Sequence, residues 1–365
     1  MSEAGRPVRV AVIGCGEVTR AKHLPALAEV PGVSVVALCD LDSRRASEAA
    51  AQFGVARHCT DAGEVFAMQD IEAVGVCTDP ESHANLAVAA MQAGKHVLVE
   101  KPLALTTVDC VRMIAAAKTA GVIAMTGHHM RFHRLIREAR QRIREGILGP
   151  IESVRMVWHS PRTDLGIPAW KTLRRRGGGA VVEIAVHHFD LLRFLLGAEV
   201  EQIYAINRDG VREDEAAVVV ARMANRTLVA AEFSERSPHE IEIVVSGRDR
   251  LLRVNCERFD GLEIRRLGEL AGAPAVRLRS VARFFQTLPF GLTTLRRGGD
   301  YRMSYENAWK HFSECIREGR PPEATFEDGL RSLEVVCAAL QSASTSQPVT
   351  VSRTMVKALP DVTVP

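Results

Sequence analysis

The chain has 365 residues, 47% of them hydrophobic and 25% charged, the make-up of a water-soluble globular protein with room for two domains. Its 47 Lys and Arg against 44 Asp and Glu leave a formal charge of +3, too balanced to make nucleic acid the main partner. No uninterrupted apolar stretch is long enough to span a bilayer, and Met1–Arg9 lacks an apolar signal core. The eight cysteines show no CxxC pair and no paired spacing, so the expectation is a cytoplasmic protein with reduced thiols.

From the N-terminus, apolar strands alternate with helical stretches. Val8–Ile13, Val33–Cys39, Ile71–Cys77, His96–Val99 and Val122–Met125 read as strands. The Ala-rich segments Ser43–Phe53, Ser82–Ala93 and Thr107–Ala120 read as amphipathic helices. This alternation predicts parallel strands joined by right-handed crossovers, and the near-continuous apolar runs predict cover on both sheet faces. The expectation is an α/β fold with a doubly wound nucleotide-binding domain over residues 1–127 and a second domain over 128–365.

In the second domain, Arg131–Glu145 reads as a basic helix stopped by Gly146 and Gly149-Pro150. Ile151–His159 alternates as a strand, and helical periodicity over Ala180–Leu196 ends at Gly197. Val200–Ile206, Glu215–Met223, Arg226–Phe233, Glu240–Val245 and Leu251–Cys256 follow as short strands, which favours an antiparallel sheet. Leu262–Asp300 has no clear period and reads as a long loop or an insertion. Tyr305–Glu318 and Phe326–Ala343 read as helices, the last expected to pack back on the first domain.

Gly14 and Gly16 stand where the first strand turns into a helix, in Val10-Ala11-Val12-Ile13-Gly14-Cys15-Gly16. Glycine there permits a tight turn and lets the N–H groups at the helix start, through Glu17 and Val18, approach a pyrophosphate. Thr19 stands at the third position of the pattern, where Gly or Ala is usual. Asp40 closes the second strand at the spacing of a carboxylate that accepts hydrogen bonds from the adenosine ribose. It would repel a 2′-phosphate, so NAD is preferred to NADP; Arg44 and Arg45 act in the opposite sense.

Lys101 follows Glu100 at the carboxyl end of a strand, where open parallel sheets bind ligands. An ammonium there can hydrogen-bond a substrate hydroxyl and stabilise a developing oxyanion; in isolation it would read as a surface lysine. Pro102 fixes the following backbone and admits a cis bond. In Gly177–Asp190, Glu183, His187 and Asp190 are spaced i, i+4, i+7 and share one face of a regular helix. A histidine flanked by carboxylates suits removal of a hydroxyl proton, and a hydrogen-bonded buried stripe is the plain alternative. His188 points elsewhere. No third soft ligand has recognisable spacing, so no metal is expected.

Trp170 stacks on a sugar ring or simply packs. Arg174-Arg175-Arg176 and the group Arg277, Arg279, Arg283, Arg296 and Arg297 read better as solvated or intersubunit charge than as a site for an anionic substrate.

With these residues the chain resembles the glucose–fructose oxidoreductase / inositol dehydrogenase / MocA family over nearly its whole length. The resemblance is carried by Gly14-Cys15-Gly16 with His23-Leu24-Pro25-Ala26-Leu27, and by Ser82-His83 through Gly94-Lys95-His96-Val97 to Glu100-Lys101-Pro102. Gly177–Asp190, and Arg320-Pro321-Pro322 before the final helix, carry it further. It implies an N-terminal Rossmann domain and a C-terminal α+β domain with an open-faced, mostly antiparallel sheet, with the active site between them. The exposed sheet face would mediate a homodimer or homotetramer.

The resemblance also assigns roles. Lys101 contacts the reacting hydroxyl and His187 is the acid/base; Glu183 stands where the family usually has aspartate, and Ala185 where it usually has glycine. The implied cofactor set is Gly14, Cys15, Gly16, Glu17, Val18, Asp40, Arg44, Thr78, His83, Glu100 and Lys101. The catalytic set is Lys101, His187 and Glu183, and the substrate set adds Arg131 and Trp170. The expected function is NAD-dependent oxidation of a secondary hydroxyl of a sugar, cyclitol or sugar derivative, or the reverse reduction. A redox-neutral glycosidase or epimerase using NAD transiently, and a non-enzymatic NAD-binding sensor, are the alternatives.

Overall fold

Short runs of Val, Ile, Leu and Ala without polar alternation need cover on both faces. They receive it in the computed structural model, which describes residues 6–162 and 167–355. Strands β1 (Val8–Ile13), β2 (Val33–Cys39), β3 (Arg57–Cys59), β4 (Ala73–Val76), β5 (His96–Val99) and β6 (Ala124–Thr126) pair in parallel in the order β3-β2-β1-β4-β5-β6. The order reverses at β1, so ligands are expected beyond the carboxyl ends of β1 and β4. Helices Ser43–Phe53, Pro80–Gln92 and Thr107–Ala120 start at side-chain caps from Asp42, Asp79 and Thr106. β3 was not foreseen: three residues at a sheet edge carry too little pattern.

The unit around this sheet runs through His128 and takes in Trp309–Glu334 and the described residues from Ser352. The chain thus leaves this unit one residue beyond the expected division at residue 127 and later returns to it. Trp309 lies over β4 at Gly75, where an added Cβ would stand 2.8 Å from the indole ring. Thr126 secures the returning chain, its N–H donating to Ala324 O at 2.8 Å and its hydroxyl to Thr325 O at 2.9 Å. The two returning helices are Gly299–Glu318 and Phe326–Thr345.

The second unit comprises His129–Ala308 and Val335–Val351. Its strands are β7 (Ile151–His159), β8 (Val200–Arg208), β9 (Ala216–Met223), β10 (Leu228–Ser234), β11 (Glu240–Gly247), β12 (Arg250–Asn255), β13 (Leu262–Arg266) and β14 (Val349–Thr350). They form one sheet in the order β13-β12-β11-β7-β10-β9-β8-β14, antiparallel except for the β7–β10 pair. Alternation sorts the faces. Ala217, Val219, Ala231 and Phe233 are buried, and Phe233 packs on His188 and Phe189. Ile206, Val218, Val220 and Leu228 are exposed on the other side.

Leu262–Asp300 is not a loop. It holds β13 and a 23-residue helix, Pro274–Arg296. Leu278, Val281 and Phe285 are exposed there among arginines, and Pro289 lies inside the helix, so no clean polar and apolar division marked it.

The Gly75 niche gives a stability prediction. Gly75→Ala should overpack β4 against Trp309 and cost about 1–3 kcal/mol, read as a lower urea midpoint. An unchanged midpoint would show that the indole re-seats freely.

Candidate active site

The two glycines of the first turn do different things. Gly14 has φ +95°, and a Cβ there would stand 2.5 Å from Cys77 O, so β1 turns hard against the end of β4. A Cβ at Gly16 would meet nothing within 4 Å, so the surface over it is open. The following helix begins with Arg20 N–H donating to Gly16 O at 3.0 Å. The N–H groups of Glu17, Val18 and Thr19 therefore precede the first intrahelical bond. Open space beside a positively polarised helix start fits a pyrophosphate.

Asp40 is held at the end of β2 by two backbone donors. Its Oδ2 accepts the Cys15 N–H at 2.7 Å and its Oδ1 the Asp42 N–H at 2.9 Å. A carboxylate has further lone pairs, which suit ribose hydroxyls. The Cys15 side chain is buried and its N–H serves Asp40. Arg44 pairs with Glu48 at 2.9 Å and Arg45 lies 3.5 Å from Asp42, so both have acids of their own.

Three more residues of the expected cofactor set lie close together. Thr78 Oγ1 accepts the Ser82 hydroxyl at 2.7 Å. His83 is fully buried, with Nδ1 2.9 Å from Pro102 O and Nε2 3.2 Å from Thr78 O. Burial pulls its pKa below the ordinary imidazole value. His83 thus braces the turns that follow β4 and β5. Glu100 faces inward, with Oε1 2.9 Å from His23 Nε2 and Oε2 accepting the Lys101 N–H at 3.1 Å. Lys101 itself is half-buried and joins Pro102 through a cis bond.

In the second unit the Gly177–Asp190 stripe departs from a regular helix. Val181–Ala185 is a π-helical turn, and the α-helix runs over Val186–Leu196. The wider turn breaks the i, i+4, i+7 register, and the three residues go to separate partners. His187 stacks on Trp158 with ring centroids 4.9 Å apart and meets His129 edge-on at 5.1 Å. Asp190 accepts from Arg131 Nε at 2.8 Å and Nη2 at 2.5 Å. Glu183 is buried between Arg162, which donates to it, and Lys171, whose Nζ is 3.6 Å away.

Arg131, expected in the substrate set, lies against Asp190. Its guanidinium is buried, committed to Asp190 in a fork, and lies 5.2 Å from the Phe194 ring centre. Trp170 is half-buried, with Lys171 Nζ 5.3 Å from its ring centre. His188 is fully buried, and burial pushes its pKa down to about 3.

Four of the arginines of these groups have acids of their own: Arg174 with Asp214 at 2.5 Å, Arg279 with Glu269 at 2.5 Å, Arg283 with Glu138 at 2.9 Å and Arg297 with Glu306 at 2.6 Å. Sequence reasoning missed Trp158, His129, Arg162 and Lys171. Trp158 was findable, since it falls on the inward alternation of β7. The others carry no local signal.

Residues 8–128 match the family model described as oxidoreductase family, NAD-binding Rossmann fold, and residues 136–253 match the GFO/IDH/MocA C-terminal domain. The 1,5-anhydro-D-fructose reductase of Ensifer adhaerens is 30% identical over 353 residues, covering 93% of this chain and 97% of its own. The myo-inositol 2-dehydrogenase of Thermotoga maritima is 28% identical over 346 residues, covering 92% and 96%. The WlbA dehydrogenase of Bordetella pertussis, in complex with NADH and UDP-GlcNAcA, superimposes with a TM-score of 0.81 over 96% of this chain and 99% of its own. At 23% identity it shows a shared fold.

Asp40→Asn keeps an acceptor for one backbone N–H but removes the charge. It should weaken NAD about tenfold or more and narrow the preference over NADP, measured by calorimetric titration of both. Unchanged affinities for the two would remove Asp40 from the cofactor site.

Proposed function

The chain belongs to the Gfo/Idh/MocA oxidoreductase family, and on that premise we propose that it oxidises a secondary hydroxyl of a sugar, cyclitol or sugar derivative, or reduces the corresponding ketone. The observation that carries this reading is Lys101, held at the carboxyl end of β5 by a buried carboxylate.

NAD, when bound, supplies the hydride acceptor. The Glu17 and Val18 N–H groups would hold its pyrophosphate, and Asp40 the adenosine ribose. The Lys101 ammonium donates to the reacting oxygen and stabilises the negative charge that grows there. His187 accepts the hydroxyl proton, its ring fixed by Trp158 and His129. Glu183 anchors Arg162 and Lys171 and so shapes the substrate wall.

The two relatives are named for reactions on an anhydro-sugar and an inositol, which supports a polyhydroxylated, uncharged ring. The paired arginines support the same choice. Eight free thiols, five of them buried, support a reducing cytoplasmic compartment.

The exposed side chains of the second sheet are contiguous, with Ile206 opposite Val218 and Tyr204 opposite Val220. They support burial against a second copy, as a homodimer or homotetramer.

Two experiments test these readings. Near-ultraviolet absorbance should rise when the protein and NAD meet an active member of a panel of inositols, free and anhydro sugars, amino sugars and sugar acids. Lys101→Met should then cut turnover about 10²–10³-fold with NAD affinity nearly unchanged. No rise despite NAD binding would turn the reading toward redox-neutral chemistry or sensing, and equal loss of turnover and affinity would contradict the role of Lys101. Separately, the double substitution Val218→Glu with Val220→Glu should lower the sedimenting mass to one chain. An unchanged mass would exclude this face as the contact.

A further inference from the structure

Three buried side chains stand in line behind Lys101, and nothing in the chemistry above uses two of them. The Trp309 indole N–H donates to His23 Nδ1 at 3.1 Å, the rings meeting edge-on. His23 Nε2 is 2.9 Å from Glu100 Oε1, and Glu100 Oε2 accepts the Lys101 backbone N–H at 3.1 Å. Exposure is 1% for Trp309, 2% for His23 and 7% for Glu100, so water does not substitute for these partners.

The direction of the line follows from donor chemistry. Burial opposes a charge on the His23 ring, while Cys77 and Glu100 beside it favour one and push its pKa up to about 10. The indole decides the matter, because it has an N–H and no acceptor. His23 must present the Nδ1 lone pair to it and carry its proton on Nε2, which donates to Glu100. A protonated Nδ1 would meet the indole donor to donor.

Glu100 then accepts from both sides, and only a carboxylate can. A glutamine offers one carbonyl oxygen to two donors and turns its own NH₂ toward the other. The surroundings are cut to fit. A Cβ at Gly127 would lie 3.0 Å from Glu100 Oε1, and Gly75 leaves the space that Trp309 fills.

We propose that Trp309, His23 and Glu100 are positioning residues for Lys101, joining the returning C-terminal helix to the backbone that carries the catalytic ammonium. This rests on the reading of Lys101 given above. Glu100 acts through the Lys101 main chain, so its removal loosens the ammonium without touching the cofactor turn.

The test is a set of double-mutant cycles on the substrate found by the panel. Glu100→Gln should lower kcat about 10–100-fold and Trp309→Phe about 3–10-fold, the ranges for a charged and a neutral buried hydrogen bond. NAD Kd should stay within about twofold, and neither change should slow Lys101→Met further. Losses that multiply with that of Lys101→Met, or wild-type kcat in Glu100→Gln, would overturn the proposal alone. Wild-type turnover in Lys101→Met would overturn the reading beneath it.

A second readout needs no substrate. In protein labelled with ¹⁵N-histidine, the His23 shifts at neutral pH should be those of the neutral Nε2–H tautomer, and Trp309→Phe should disturb them. An imidazolium or an Nδ1–H tautomer in the unsubstituted protein would overturn the proposal.

Discussion

A carboxylate cannot be buried without donors, and the Rossmann unit is arranged around one that is. Glu100 sits beneath the carboxyl end of β5 and takes its donors from His23 and from the backbone of Lys101. That requirement reaches outward. It places a histidine just after the dinucleotide turn and needs an indole to fix that histidine's tautomer. It also empties position 75 so that the indole fits. The chain must return from residue 309 to supply the indole, so the unit is discontinuous for a reason of chemistry as well as packing.

The second unit buries its acids differently. Glu183 faces Arg162 and Lys171, Glu235 lies 2.9 Å from Arg212, and Asp190 takes the fork of Arg131. Ion pairs of this kind lose stability when one partner goes, because the other is left charged and buried. They give a stiff frame for His187, whose own contacts are aromatic. Both helices that carry candidate chemistry also contain a π-helical turn, at Thr19–His23 and at Val181–Ala185. One extra residue per turn shifts everything after it by about 100°, which re-aims His23 and His187 relative to a regular helix.

Much of the fold was legible because its signals are local. Apolar runs announce β1, β2 and β5, and the caps Asp42 and Thr106 mark helix starts to the residue. The helix Pro274–Arg296 was hidden by its exposed apolar side chains and its internal proline. The glycine turn, Asp40 and Lys101 were legible as a site because each lies at a strand end. The partners that define roles were not. Glu183 meets a residue 21 positions earlier, Asp190 one 59 positions earlier, and His23 one 286 positions later. The π-turns leave no period that a regular helix pattern detects, so a shared face was expected where the structure gives three separate partners.

The most direct measurement follows the hydrogen itself. Substrate deuterated at the carbon that bears the reacting hydroxyl is turned over with NAD in ordinary water, and the NADH formed is weighed by mass spectrometry. The account predicts one deuterium in every NADH. Unlabelled NADH, or deuterium released to water, would contradict direct hydride transfer from that carbon.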